Sequence, residues 1–190
     1  MIPISTNSKQ NFRTPQWLQN RLELKTFDVD AAADKTNHVC HLWYGPGGIR
    51  ENALTETWAH PLQSDRWIFC NPPYMGEERA CKPDCKKRVC KRRGFCLAED
   101  YPGIGGWLHR GMEAAANGDR VLFLLPANVG TRWFEDYSKF ANVTFITPRV
   151  AFCSEGGTPM KNPPHSSMLM EFTRKTVHEG GVWKVERIEP

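Results

Sequence analysis

The sequence predicts an α/β fold with a mainly parallel central sheet and helices on both faces. Two apolar runs of strand length, 66–70 and 121–125, bracket a segment of helical length at 104–116. That is the strand–helix–strand alternation of a parallel sheet. Three candidate strands end abruptly at Asp30, Asn71 and Pro126. In open parallel sheets ligands sit beyond the carboxyl ends of the strands, so these positions mark where a site is expected.

The elements follow in order. Thr14, then Pro15, Gln16 and Trp17, reads as a helix start, with a capping hydroxyl and Pro at the first helical position. Residues 24–30 alternate weakly and read as a strand running into Ala31-Ala32-Ala33. Residues 39–44 read as a second strand, stopped by Gly45-Pro46-Gly47-Gly48. Residues 52–59 read as loop and short helix. The run 66–70 is a buried strand by length and composition. Segment 104–116 is a helix closed by Asn117-Gly118. The clearest buried strand is 121–125, ended by Pro126; a helix at 132–140 and a strand at 143–146 follow. After a Gly/Pro-rich loop at 154–164 comes a strand at 167–172. Residues 173–190 read as a small extension in which 182–188 alternates and suits an edge strand. The whole chain, 1–190, reads as one domain carrying a foreign insertion at 75–102.

The tetrad Asn71-Pro72-Pro73-Tyr74 ends the buried strand 66–70. Two prolines hold the backbone extended and remove two N–H donors, so nearby carbonyls are available to a ligand. Asn71 offers a carbonyl acceptor and Tyr74 a flat ring. Such a tetrad suits a planar group that donates an amine. The amine of adenine is a poor nucleophile because its lone pair is delocalised into the ring. Acceptors on both its hydrogens favour a tetrahedral nitrogen that attacks a methyl group in line, which is catalysis by orientation and electrostatics. An Asn-Pro turn with no chemistry is the plainer alternative.

The insertion 75–102 is basic, rich in cysteine and poor in aliphatic residues. Arg79, Lys82, Lys86, Lys87, Arg88, Lys91, Arg92 and Arg93 stand against the single acid Asp84, so this stretch carries +7 and the rest of the chain sums to −3. A positive patch this localised points to a phosphate backbone as partner, with a solvated charged loop as the alternative. Cys81, Cys85, Cys90 and Cys96 follow the spacing Cys-x3-Cys-x4-Cys-x5-Cys. A segment with so little apolar surface has no core of its own. Four thiolates on one structural zinc supply the missing free energy. His60 and His109 are substitutes for one ligand, and disulfides or free thiols remain the other reading.

These motifs in this order resemble the phage-type, Dam-like DNA N6-adenine methyltransferases. The resemblance covers about residues 11–172. It rests on Thr14-Pro15-Gln16-Trp17, on Phe27 through Ala33 with Asp30, on Asn52-Ala53-Leu54 through Trp58, and on the tetrad. Trp107, Leu124-Leu125-Pro126, Thr131-Arg132-Trp133-Phe134, Arg149-Val150-Ala151-Phe152 and Pro164-His165-Ser166-Ser167 complete it. It implies a single Rossmann-like methyltransferase domain that transfers the methyl group of S-adenosylmethionine to a flipped adenine in double-stranded DNA. By the same resemblance Asn71 and the Pro72 carbonyl bind the amine, and Pro73 and Tyr74 complete the catalytic tetrad, Tyr74 by stacking on the base. Thr14, Pro15, Gln16 and Trp17 line the cofactor pocket. Asp30, with Ala31, approaches the amino group of the cofactor's methionine part. Asn52 stands where an acid is expected at the cofactor's adenine; Asp34 and Glu51 are other candidates. The glycine-rich turn of many methyltransferases is replaced by Ala31-Ala32-Ala33. The resemblance also implies modification of phage DNA against restriction.

Composition excludes a membrane span, since no apolar run approaches the roughly 20 residues needed. Met1 to Gln10 is polar and lacks the apolar core of a signal peptide, so a cytoplasmic location, that of a bacterial host, is expected. Cytosine N4, RNA or a protein glutamine as the methyl acceptor are alternatives within the same chemistry. A non-enzymatic, zinc-stabilised nucleic-acid-binding protein is the alternative outside it.

Overall fold

A computed structural model describes residues 13–60, 62–154, 157–161, 163 and 165–188. The N-terminal reading at Met1 to Gln10 and Pro164 lie outside these residues. Among the described residues seven strands form one sheet: β1 (Val29–Asp30), β2 (Leu42–Trp43), β3 (Trp67–Cys70), β4 (Arg120–Pro126), β5 (Asn142–Thr147), β6 (Ser167–Phe172) and β7 (Trp183–Arg187). Their order is β2-β1-β3-β4-β6-β5-β7. All share one direction except β6, which runs antiparallel to both β4 and β5. The α/β expectation holds, and "mainly parallel" holds with this one reversal.

Both faces of the central strands are buried, which is why β4 reads as an unbroken apolar run rather than an alternating one. Val121, Phe123 and Leu125 of β4 pack with Ile104, Trp107 and Leu108 of α3 (Gly103–Ala116) and with Phe134 of α4 (Arg132–Tyr137). Val177 of α5 (Arg174–Glu179) joins the same core. Leu122 and Leu124 point the other way, to Leu18 of α1 (Gln16–Arg21), Leu24, Val150 and Phe152. Helices thus cover both faces, the second one thinly.

Several local expectations are corrected. Pro15 is the residue preceding α1 rather than its first residue, and the Thr14 hydroxyl caps nothing there. Residues 24–26 form a 3-10 turn entered through Glu23 at φ 52°, which leaves only Val29–Asp30 as strand. Residues 52–59 contain turns and no helix. The C-terminal extension holds a helix as well as the expected edge strand. There Thr173 and Thr176 form a reciprocal capping box that starts α5.

The irregular chain between β2 and β3 is pinned by one buried cation. Arg66 bonds Asp119 through Nε (3.1 Å) and Nη2 (2.5 Å), Tyr44 Oη through Nη1 (3.2 Å), and the Trp58 carbonyl through Nη2 (2.5 Å). Trp58 in turn donates from Nε1 to the Ala53 carbonyl at 2.7 Å. A guanidinium has five donors in a fixed fork, so one residue holds the feet of β3 and β4 and the loop above them together.

Candidate active site

From β1 the chain moves outward to β2 and returns on the other side to β3. The carboxyl ends of β1 and β3 therefore flank a topological switch point, where open α/β sheets bind ligands. Asp30 ends β1, and Asn71 follows β3 directly.

Asn71 is held from both sides. Its Nδ2 donates to Thr14 Oγ1 at 3.2 Å, and its Oδ1 accepts from Tyr74 Oη at 3.0 Å. The Tyr74 hydroxyl also lies 3.2 Å from the Leu124 carbonyl, and burial pushes its pKa upward. The Tyr74 ring meets Phe152 edge-on, with centroids 6.0 Å apart. The Thr14 hydroxyl, expected at a helix cap, thus fixes the Asn71 carboxamide instead. Gln16 is exposed and bonds Asn20 at 2.8 Å, while half-buried Trp17 packs on the second-face core.

Asp30 is buried, and its carboxylate accepts from the backbone N–H of Val39 (3.0 Å) and Ala32 (3.3 Å). Burial pushes its pKa up to about 6, against the lowering effect of those two bonds. Ala31 is fully buried beside it. The glycine missing from the Ala31-Ala32-Ala33 turn is supplied across the sheet. Gly45 has φ +134°, and a Cβ there would come within 1.9 Å of the Ala33 carbonyl. Only glycine lets the exit of β2 press onto the exit of β1.

A slot of about 40 Å³ opens beside this point, lined by Gly45, Pro46, Glu51, Asn52, Leu54, Pro73, Tyr101 and Trp107. Glu51 and Asn52 lie at it, whereas Asp34 is spent on Thr36 and Asn37 of its own turn. Asn52 Oδ1 accepts from the Leu54 N–H at 3.1 Å. A larger cleft of about 690 Å³, lined by Phe27, Trp67, Leu122, Thr144 and Glu171 among others, contains none of the expected site residues.

Tyr101 is the site residue that sequence reasoning missed. It is buried, accepts from Trp107 Nε1 at 3.1 Å, and reaches the Pro73 carbonyl at 3.5 Å. Its backbone pairs with Glu78 through two bonds of 2.9 and 2.7 Å, closing the neck of the insertion. Gly103 follows at φ +64°, where a Cβ would come within 2.6 Å of the Glu77 nitrogen. The insertion therefore leaves and re-enters beside the tetrad. A lone Tyr before a Pro carries no local signal of this.

Inside the insertion, α2 (Arg88–Arg93) carries Cys90 toward Cys81, Cys85 and Cys96. The four Sγ atoms lie within 4.8 Å of one another, with Cys90 3.4 Å from Cys81 and 3.6 Å from Cys85. Four thiolates at about 2.3 Å from a tetrahedral zinc sit at this kind of spacing. A backbone hydrogen bond at Leu97 and the neighbouring thiols push the Cys81 pKa down to about 7. Arg79, Lys82, Lys86, Lys87, Arg88, Lys91 and Arg92 are all exposed; the Arg93 side chain lies outside the described residues. His60 and His109 do not join the cluster.

The model of one family, DNA N-6-adenine-methyltransferase (Dam), matches residues 4–181. The chain belongs to the Dam family. The family is described by its reaction, methylation of adenine at N-6 in DNA. No curated relative matches it. A chain from the structure "Structural basis underlying complex assembly and conformational transition of the type I R-M system" is 15% identical with TM-score 0.40, covering 81% of this chain and 29% of that one. A putative class I S-adenosylmethionine-dependent methyltransferase from Listeria monocytogenes is 17% identical with TM-score 0.41, covering 87% of this chain and 52% of that one. The Dam-family chain thus spans less than a third of one and about half of the other. Among the described residues no helix is long and apolar enough to cross a membrane.

Proposed function

We propose that this chain methylates the N6 amine of an adenine taken out of double-stranded DNA, using S-adenosylmethionine, with Asn71 as the residue that orients the amine. The observation that supports this most is the fixed Asn71 carboxamide at the switch point, held by Thr14 and Tyr74. A carbonyl oxygen has two lone pairs, so Asn71 Oδ1 accepts an amine hydrogen while keeping Tyr74. The Pro72 carbonyl accepts the other hydrogen, and the partly exposed Tyr74 ring stacks on the base. Bound S-adenosylmethionine supplies an electrophilic methyl on a sulfonium. Glu51 and Asn52 at the slot suit a nucleoside edge and its hydroxyls, and the buried carboxylate of Asp30 at the end of β1 suits an ammonium. To test the reaction, the protein is incubated with duplex DNA and methyl-labelled cofactor, and the DNA is digested to nucleosides. Label in N6-methyladenosine-type deoxynucleoside supports the proposal. Label in N4-methylcytosine, or only in RNA or protein substrates, overturns it.

The Asp30 assignment makes a pH prediction. Cofactor affinity falls as pH drops through about 6, by up to about tenfold per unit, because the carboxylate loses its charge. In Asp30→Asn, affinity at pH 7.5 is already weak and varies little with pH. The sign for stability is opposite. The folded unliganded protein holds this proton more tightly than the unfolded chain, so the group's stabilising contribution is full below about pH 4 and is lost as pH rises through 6. Titration calorimetry between pH 5 and 8 reads the first effect; a flat parent profile counts against the assignment.

The four thiols are proposed to hold one structural zinc. Its chemistry is to cross-link a segment with few buried apolar side chains, Leu97 and Tyr101 among them. Elemental analysis of protein purified without added metal is expected to give one zinc per chain, lost when Cys81, Cys85, Cys90 and Cys96 become serine. No zinc, or zinc kept by that variant, refutes the site.

The cations of the insertion are proposed to hold DNA phosphates. Neutralising Lys86, Lys87, Arg88, Lys91, Arg92 and Arg93 is expected to weaken duplex binding by about tenfold or more and to flatten its salt dependence, because fewer counterions are released. The loss is similar across DNA sequences, and cofactor affinity is unchanged. An unchanged salt slope would mean a solvated loop.

A further inference from the structure

The outer edge of β7 has no strand beside it among the described residues. It is also apolar: Val182, Trp183 and Val185 are 70%, 56% and 75% exposed. An edge this regular, with no proline or bulge, is a template for another strand. We infer that the occupant is a second copy of the same edge, joined antiparallel about a two-fold axis through Val185.

The backbone geometry permits this register. Val143 N–H bonds the Val182 carbonyl, and Ile188 N–H bonds the Thr147 carbonyl, at 2.9 and 3.0 Å. Even-numbered residues of β7 therefore turn their backbone groups toward β5, and Trp183, Val185 and Arg187 turn theirs outward. In a two-fold pair centred on Val185 these outward residues meet as hydrogen-bonded pairs, Val185 with its own copy. Lys184 then lies opposite Glu186 of the second copy in the closer, non-hydrogen-bonded position.

Charge selects this register over its neighbours. Lys184 Nζ already lies 2.8 Å from Glu186 Oε2 within one chain, and both side chains are substantially exposed. Joining two edges about Val185 turns two such pairs into a closed ring of alternating charge, and sets each Trp183 across from an Arg187. Slipping one strand by two residues in one direction puts Lys184 opposite Lys184. Slipping it by two in the other puts Glu186 opposite Glu186; both are like-charge pairs. The sequence of the edge is thus complementary to itself in one register.

The test is sedimentation velocity of the full chain from low to high micromolar concentration. The parent is expected to shift from monomer to dimer. Val185→Pro, which removes the central N–H from an exposed position, is expected to abolish the shift. Lys184→Glu and Glu186→Lys each weaken self-association by about tenfold or more. Mixing these two single variants restores a heterodimer, and the double exchange in one chain restores the homodimer. Circular dichroism confirms that each variant is folded. A parent that stays monomeric throughout, or a dimer indifferent to Val185→Pro and to charge reversal, overturns the inference.

Discussion

Asn71→Ala is expected to lower the rate of methyl transfer by about a hundredfold or more while cofactor affinity stays near the parent value. Removing one acceptor aimed at the reacting amine costs on the order of 3 kcal/mol in the transition state. The Asn71 side chain meets Thr14 and Tyr74, and it does not line the slot assigned to the cofactor's nucleoside. The loss therefore falls on kcat. The structure adds a companion result. Tyr74→Phe keeps the ring but deletes the hydroxyl that holds Asn71 Oδ1. A smaller loss in kcat, worth about 1 kcal/mol, is expected for Phe, and a larger one for Tyr74→Ala, which also removes stacking. Single-turnover kinetics with saturating cofactor measures all three. Near-parental turnover in Asn71→Ala would sink the mechanism.

Asp119→Ala is expected to destabilise the fold by about 3–5 kcal/mol, because it strands a buried guanidinium without its counter-charge. The two side chains are 5% and 2% exposed, so water does not replace the lost carboxylate. The effect should reach the site. Arg66 also holds Tyr44 and the Trp58 carbonyl, and the chain between them carries Glu51 and Asn52. Urea denaturation of parent and variant gives the stability change. An unchanged midpoint would show that the pair is solvated and carries little.

The switch-point end of the sheet was legible because its signals are local. A short apolar strand closed by Asn71-Pro72-Pro73-Tyr74 announces both a strand end and the groups that follow it. The strand at 24–30 was overread because its weak alternation is matched equally by a 3-10 turn, and Glu23 at positive φ has no distinctive signature. α5 escaped because its cap is a Thr–Thr pair and its six residues show no apolar stripe. The reversal of β6 was illegible for a more general reason. An apolar run such as Ser167–Phe172 has the same periodicity read in either direction, so only its hydrogen-bonding neighbours decide which way it runs.

By itself, then, the sequence determined the α/β class, the Asn71-Pro72-Pro73-Tyr74 tetrad at a strand end, the clustered thiols and the concentrated positive charge, all properties written within a few neighbouring residues. Tertiary structure alone decided what those residues meet. It brought Thr14 to Asn71, Gly45 to Ala33, Tyr101 to Pro73 and Arg66 to Asp119. Each of these pairs is far apart in the chain or carries no local pattern. Each forms because a buried polar group must find a partner, or a backbone must pass close by, and that requirement is settled only when the sheet has assembled.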